Sequence, residues 1–181
     1  MPDRLHYPLH YAGWIAVAIA VVALDQWTKS LALAQLDYGE PVKILPIFNI
    51  TLQFNRGAAF SFLSDAGGWQ RWFFTAVALL ASVVIAVWLA RLNRDDKLLA
   101  ASLSLILGGA VGNVWDRVQF GYVVDFISLH YHDWYFPTFN VADSAVTVGA
   151  GLMILDALLQ SRSGREDGKA GGESAGNSAD K

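Results

Sequence analysis

The chain contains no cysteine, so neither a disulfide framework nor a thiol nucleophile is open to it. It has no basic surplus either: a formal charge of −3 and a pI near 5.7 remove the usual footprint of a nucleic-acid binder. Proline is scarce. Pro2, Pro8, Pro41, Pro46 and Pro137 all fall outside the long apolar stretches, so a helix in any of those stretches runs unbroken. Charge is scarce too, and its absence is concentrated. Tyr11–Leu24, Trp72–Ala90 and Leu98–Trp115 carry none, and Ser144–Leu155 forms a shorter fourth stretch.

What fills those stretches is apolar. Hydrophobic residues make up 54% of the 181, and the mean hydropathy is +0.35, high for a soluble protein. A helix needs roughly 20 residues to cross about 30 Å of hydrocarbon. The second and third stretches come close to that alone; the first and fourth reach it only by taking in Asp25 with Lys29, or Asp143 with Asp156. Too little polar sequence remains to cover four such segments in a soluble core. The sequence therefore predicts a mainly α membrane protein with four transmembrane helices, over roughly 11–34, 70–91, 97–116 and 140–160. Loops at 35–69 and 117–139 lie on one side, and residues 161–181, rich in Gly, Ser and mixed charge, read as a disordered tail. The first segment reads as a retained span rather than a cleaved leader, because "VVALDQWTK" continues helically into "SLALAQL".

Lys and Arg set the expected orientation. With both termini cytoplasmic, that side holds Arg4, Arg91, Arg94, Lys97, Arg162, Arg165, Lys169 and Lys181; the other holds Lys29, Lys43, Arg56, Arg71 and Arg117. The compact "RLNRDDK" link favours this arrangement. On the outer side, "FNITLQFN" alternates Phe48, Ile50, Leu52 and Phe54 with polar residues, the period of a half-buried strand, and Arg56-Gly57 follows as a turn. Val118, Phe120, Tyr122, Val124 and Phe126 share one parity, with Asp125 pointing the other way. Trp134, Tyr135 and Phe136 read as interfacial anchors. His130, His132 and Asp133 make a weak zinc pattern, and histidines facing the interface are the preferred reading.

Several polar residues sit where lipid should exclude them. Asp25 and Lys29 are four apart and share a helix face. In "GGAVGNVWDR" (108–117), Gly108 and Gly112 form a small face for close helix packing, followed by Asn113, Asp116 and Arg117, with an interfacial Asp116–Arg117 pair as the simplest reading. Asn140 suits an N-cap, which places Asp143 at N3, toward the positive end of the helix dipole. That cap does not account for Asp125, 18 residues earlier on the same side of the membrane. Two aspartates meeting at the interface would share one proton, the ionised one activating a water and the neutral one donating to a carbonyl. Such a site hydrolyses a peptide bond without metal or cofactor. A proton-relaying transporter using Asp25, Asp116, Asp125 and Asp143, or a scaffold whose polar motifs only pack helices, are the competing classes.

Taken together, "DQWTK" (25–29), "FNRGAAFSF" (54–62), "GGAVGNVWDR" (108–117), "VVDF" (123–126) and "FNVADS" (139–144) resemble bacterial lipoprotein signal peptidase, the type II signal peptidase. The resemblance implies a four-helix aspartic endopeptidase of the bacterial inner membrane with both termini cytoplasmic, a small extracytoplasmic β-cradle, periplasmic loops and no cofactor. It implies Asp125 and Asp143 as the catalytic pair near the periplasmic face. Asn55, Arg56 and Gly57 would line the site, Asn113, Arg117 and Asn140 would bracket the aspartates, and Asp25, Lys29 and Asp116 would give structural support. Its substrates would be diacylglyceryl-modified prolipoproteins, cut before the lipidated cysteine of the lipobox, and globomycin its inhibitor. Membrane lipid is the other expected partner, a monomer the expected state, and the Phe48, Phe54 and Phe60 face a clamp for the lipidated peptide.

Overall fold

The computed structural model describes residues 7–57 and 69–176. Phe60, the third member of the expected clamp, lies outside them. The order of elements is α1 (Tyr7–Gln35), β1 (Pro41–Leu45), β2 (Phe48–Asn55), α2 (Trp69–Ala90), α3 (Lys97–Gln119), β3 (Val123–Tyr131), β4 (Trp134–Tyr135) and α4 (Val141–Gly176). Each helix contains a segment long and apolar enough to cross a membrane: Tyr11–Gln35, Arg71–Ala90, Lys97–Gln119 and Val141–Ser161. Beyond Ser161, where composition pointed to disorder, α4 continues to Gly176. Extending an existing helix fixes one residue per added hydrogen bond and needs no new nucleus.

α3 is the central helix and buries the largest share of its span. Its glycines explain why. A Cβ on Gly108 would stand 2.7 Å from the Ala18 carbonyl oxygen of α1, one on Gly112 would stand 2.7 Å from Asp25 Oδ2, and one on Gly109 would collide with the Ala142 carbonyl of α4. Three adjacent small positions thus let two helices close on a third. Around them Ala18, Leu89, Ala100, Leu103 and Leu107 form the main apolar core. The hydroxyls of Ser102 and Ser104, both fully buried, are satisfied within α3 by the carbonyls of Leu99 and Ala100. The other helices turn large apolar side chains outward, among them Ile19, Leu80, Val83 and Ile154, as helices facing lipid do.

The strands form one antiparallel sheet in the order β1-β2-β3-β4. Two expectations fail in it. The strict alternation of "FNITLQFN" is broken by a register slip against β3 between Ile50 and Gln53, so Asn49 and Thr51 of the polar parity are buried along with Leu52. Val118 and Phe120 do not belong to a strand: α3 runs on past 116 to Gln119, capped at Phe120, and the chain turns through Gly121 at φ 84° before β3 starts. Leu52 and Val124 pack on Ala32, which seats the sheet against the end of α1. The interfacial residues expected around 134 are exposed, with Trp134 and Tyr135 forming β4. Finally, Phe139 exchanges backbone hydrogen bonds with Ile127 (2.8 and 3.1 Å), delivering the start of α4 to the middle of β3.

Candidate active site

α4 begins with a reciprocal cap. The Asn140 side-chain oxygen accepts from the Asp143 backbone N–H at 2.9 Å, and Asp143 Oδ2 accepts from the Asn140 backbone N–H at 3.2 Å, with Asp143 at N3. The N2 donor is satisfied from another helix: Ala142 N–H donates to Asp25 Oδ1 at 2.9 Å. Three of the four orphan donors that open any helix, those of Asn140, Ala142 and Asp143, are therefore held by side chains.

The same Asn140 reaches the other aspartate. Its amide nitrogen donates to Asp125 Oδ1 at 2.7 Å and lies 3.2 Å from both Asn113 Oδ1 and the Val124 carbonyl, so its two hydrogens serve one short bond and one shared one. Asn113 in turn donates its Nδ2 to Asp143 Oδ1 at 2.7 Å. Asp125 and Asp143 are thus joined through one completely buried asparagine, braced by a second. Asp125 is 1% exposed, and its carboxyl is pushed up to about 7. Burial is the main cause and the charge of Asp143 the second, opposed by hydrogen bonds from Asn55 and Asn140 and by the charge of Lys29.

Beneath the pair lies a buried ion cluster. Lys29, 2% exposed, contacts Asp25 Oδ2 and Asp116 Oδ2, each at 2.8 Å, and donates to Asn113 Oδ1 at 3.1 Å. The expected pairing of Asp25 with Lys29 is present. The expected Asp116–Arg117 pair is not: Asp116 points inward to Lys29, because neighbours on a helix point about 100° apart and only one of the two can face the core. Gln26, which sequence reasoning passed over inside "DQWTK", donates to Asp116 Oδ1 at 2.8 Å and touches Asp25 Oδ2 and the Gly112 carbonyl at 3.2 Å. Its only sequence signal was its place between two ions.

Arg117 stacks over the Phe74 ring at 5.9 Å, within electrostatic reach of Asp143, Asp125 and Asp116. Gly57 sits at φ 93°, takes Asn55 Oδ1 on its N–H at 2.9 Å, and leaves no room for a Cβ beside Phe74. Asn55, Gly57, Phe74 and Arg117 therefore form one wall. Arg56 is exposed and makes no hydrogen bond or ion pair with another described residue. His130 is half-buried and stacks on the exposed Tyr135 with both ring nitrogens buried and without a hydrogen-bond partner among the described residues, while His132 is exposed in the following turn at φ 52°. Among the described residues no group of three or more His, Cys, Asp and Glu is placed to hold a metal ion.

A carboxyl titrating near neutral pH beside a second carboxylate, with asparagine donors fixing both, can take a proton from water and give one to a carbonyl in one step. Residues 17–159 match the model of a family described as signal peptidase (SPase) II. A lipoprotein signal peptidase of Acinetobacter baumannii is 50% identical over 153 residues, spanning 84% of this chain and 86% of its own. One from Polynucleobacter necessarius is 54% identical over 148 residues, spanning 82% and 90%. Among solved structures, a bacterial membrane enzyme obtained by the in meso method superposes with a TM-score of 0.73 at 33% identity, covering 84% of this chain and 91% of that one.

Proposed function

The chain belongs to the signal peptidase II family, and from that premise we propose that it is an aspartic endopeptidase that removes the signal peptide from diacylglyceryl-modified prolipoproteins, cutting before the lipidated cysteine, with Asp125 and Asp143 as its catalytic residues. The observation that carries this reading is the joint grip of Asn140 on both carboxylates at the ends of the spans. A substrate with acyl chains in lipid and a scissile bond at the surface needs its chemistry at that level.

In the reaction, Asp143 carries the negative charge and takes a proton from the attacking water, while protonated Asp125 gives its proton to the scissile carbonyl oxygen. The tetrahedral diol collapses as a proton passes to the departing amine, leaving a new carboxylate on the signal peptide and a free amino group on the lipidated cysteine. Asn113 and Asn140 hold the two carboxyls, Asn55 supports Asp125, and Arg117 supplies positive charge where the oxyanion develops. Arg56, exposed beside this wall, is free to meet the incoming peptide. The Lys and Arg distribution supports an inner-membrane protein with both termini cytoplasmic and the site near the periplasmic face. All of these groups come from one chain, so a monomer suffices.

Purified protein in detergent should cleave a diacylglyceryl-modified prolipoprotein in the presence of a chelator and leave the unmodified precursor intact. Asp125→Asn and Asp143→Asn should each cost about 10²–10⁴ in kcat while remaining folded. Cleavage by either variant at the wild-type rate would place the chemistry elsewhere.

A further inference from the structure

Lys29 stands between two carboxylates, each of which does a second job. Asp25 Oδ1 holds the backbone N–H of Ala142, the residue before Asp143, at 2.9 Å. Asp116 Oδ2 holds the backbone N–H of Val124, the residue before Asp125, at 3.0 Å. One cation therefore ties together the two carboxylates that grip the chain immediately ahead of each catalytic aspartate, at 2.8 Å on either side. The third hydrogen on Nζ goes to Asn113 Oδ1. Because an ammonium only donates, that contact fixes which way the Asn113 amide faces: oxygen to Lys29, nitrogen to Asp143. α1 and α3 meet at this one atom, their two carboxylates carry the link on to α4 and β3, and nearly all of the group is out of water.

We propose that Lys29 is a positioning residue for catalysis, its ammonium setting the separation of Asp125 and Asp143 through Asp25 and Asp116 and the orientation of the Asn113 amide. This rests on the reading of those aspartates as the catalytic pair. An ion pair that only joined helices would need neither of the two backbone contacts nor the asparagine. Without the ammonium, Asp25 and Asp116 repel each other and drag Ala142 and Val124 with them, and Asn113 Oδ1 keeps only the longer contact from the Asn140 amide to hold its orientation. A displacement of about 1 Å between reacting groups can cost about a hundred-fold in rate without weakening substrate binding.

The test compares wild type, Lys29→Met, and the charge-balanced Lys29→Met with Asp116→Asn, each purified in detergent. The readouts are thermal unfolding, kcat and KM for a diacylglyceryl-modified prolipoprotein, and the pH profile of kcat. Asp125 is faced by Asp143 from α4, by Lys29 from α1, by Arg117 from α3, and by the neutral Asn55 and Asn140, while Asp116 of α3 holds the neighbouring Val124 N–H. Removing the Lys29 charge should therefore move the alkaline limb of the profile upward. The expected result is a folded variant with kcat down by about ten- to a hundred-fold, KM within about two-fold, and that upward limb. A folded variant with wild-type kcat and an unmoved limb overturns the proposal. So does a loss that merely tracks the unfolded fraction, and so does failure of both variants to fold, since Lys29 would then serve folding alone. If wild type itself does not cleave, or Asp125→Asn does, it is the assignment of the aspartates that fails instead.

Discussion

Replacing Asp125 with asparagine should stabilise the protein at pH 8 and leave it nearly unchanged at pH 4. The carboxyl titrates at about 7 in the folded chain against 3.8 for the ordinary group. Between those values the folded state binds a proton that the unfolded state has released, so stability falls as pH rises. The contribution is fully present below 3.8 and lost by about 7. At about 1.4 kcal/mol per pH unit, the gap of roughly three units corresponds to about 4 kcal/mol. With the side chain 1% exposed, solvent screening does little to reduce it. An asparagine at this position would keep an oxygen for the Asn140 amide and would remove the repulsion from Asp143, so the variant escapes the penalty while preserving the contact. For a chain of this size each kcal/mol is worth about 2–4 °C in melting temperature. Melting curves of wild type and Asp125→Asn in one detergent, from pH 4 to pH 8, give the difference directly. It should open between pH 4 and 7 and then level off. A constant difference, or a wild type that melts higher at pH 8, would show that burial does not disfavour the charge at this position and would remove the reason to regard Asp125 as the proton donor.

The double role of Asn140 separates in two substitutions. Asn140→Ser keeps an oxygen for the Asp143 N–H and should melt above Asn140→Ala by about 1 kcal/mol, the usual worth of an N-cap. Both lose the donor to Asp125, and in the serine variant the alkaline limb of kcat/KM should move above its wild-type position near 7; an unmoved limb would count against that contact. Gly109→Ala should lower both the melting temperature and kcat, because the added methyl meets the carbonyl of Ala142, whereas Gly151→Ala, with nothing within 4 Å of the new carbon, should hold or gain up to about 1 kcal/mol. Equal melting of the two glycine variants would show that the α3–α4 crossing is looser than its geometry implies.

The parts legible in the sequence are those fixed by local periodicity. Four charge-poor stretches marked the helices, the 25/29 spacing paired Asp25 with Lys29, and Asn140 with Asp143 read as a cap because N-cap and N3 stand three residues apart. The parts that were not legible depend on register between distant segments. Asp116 joins Lys29 from 87 positions away, a choice made by the rotation of α3 against α1 that no spacing within either helix records. The buried face of β2 changes parity because it slips against β3, and a strand's own alternation cannot show where its partner slips. The shared parity of Val118 and Phe120 with Val124 was accidental, since β-branched and aromatic residues are tolerated in a helix whose end is set by a glycine at positive φ. The contact of Asn140 with Asp125 follows only once Phe139 has paired with Ile127, a bridge between β3 and the segment leading into α4 that no spacing within either records.

The carboxylate at the mouth of α4 is explained by capping and, in the proposed function, by chemistry, and the two do not compete. A carboxylate offers about four lone-pair sites. Asp143 spends one on the Asn140 N–H through Oδ2 and one on the Asn113 amide through Oδ1, so each oxygen keeps one site for a water proton. These two bonds, one from the helix end and one from α3, also fix the plane of the carboxylate, and the helix dipole stabilises the charge it would need as the proposed base. The residue that starts the fourth span is therefore oriented by the act of starting it. That is why Asn140, rather than either aspartate, is the position where loss of fold and loss of function should be hardest to separate, and why the serine variant, which keeps the cap and drops the donor, distinguishes them.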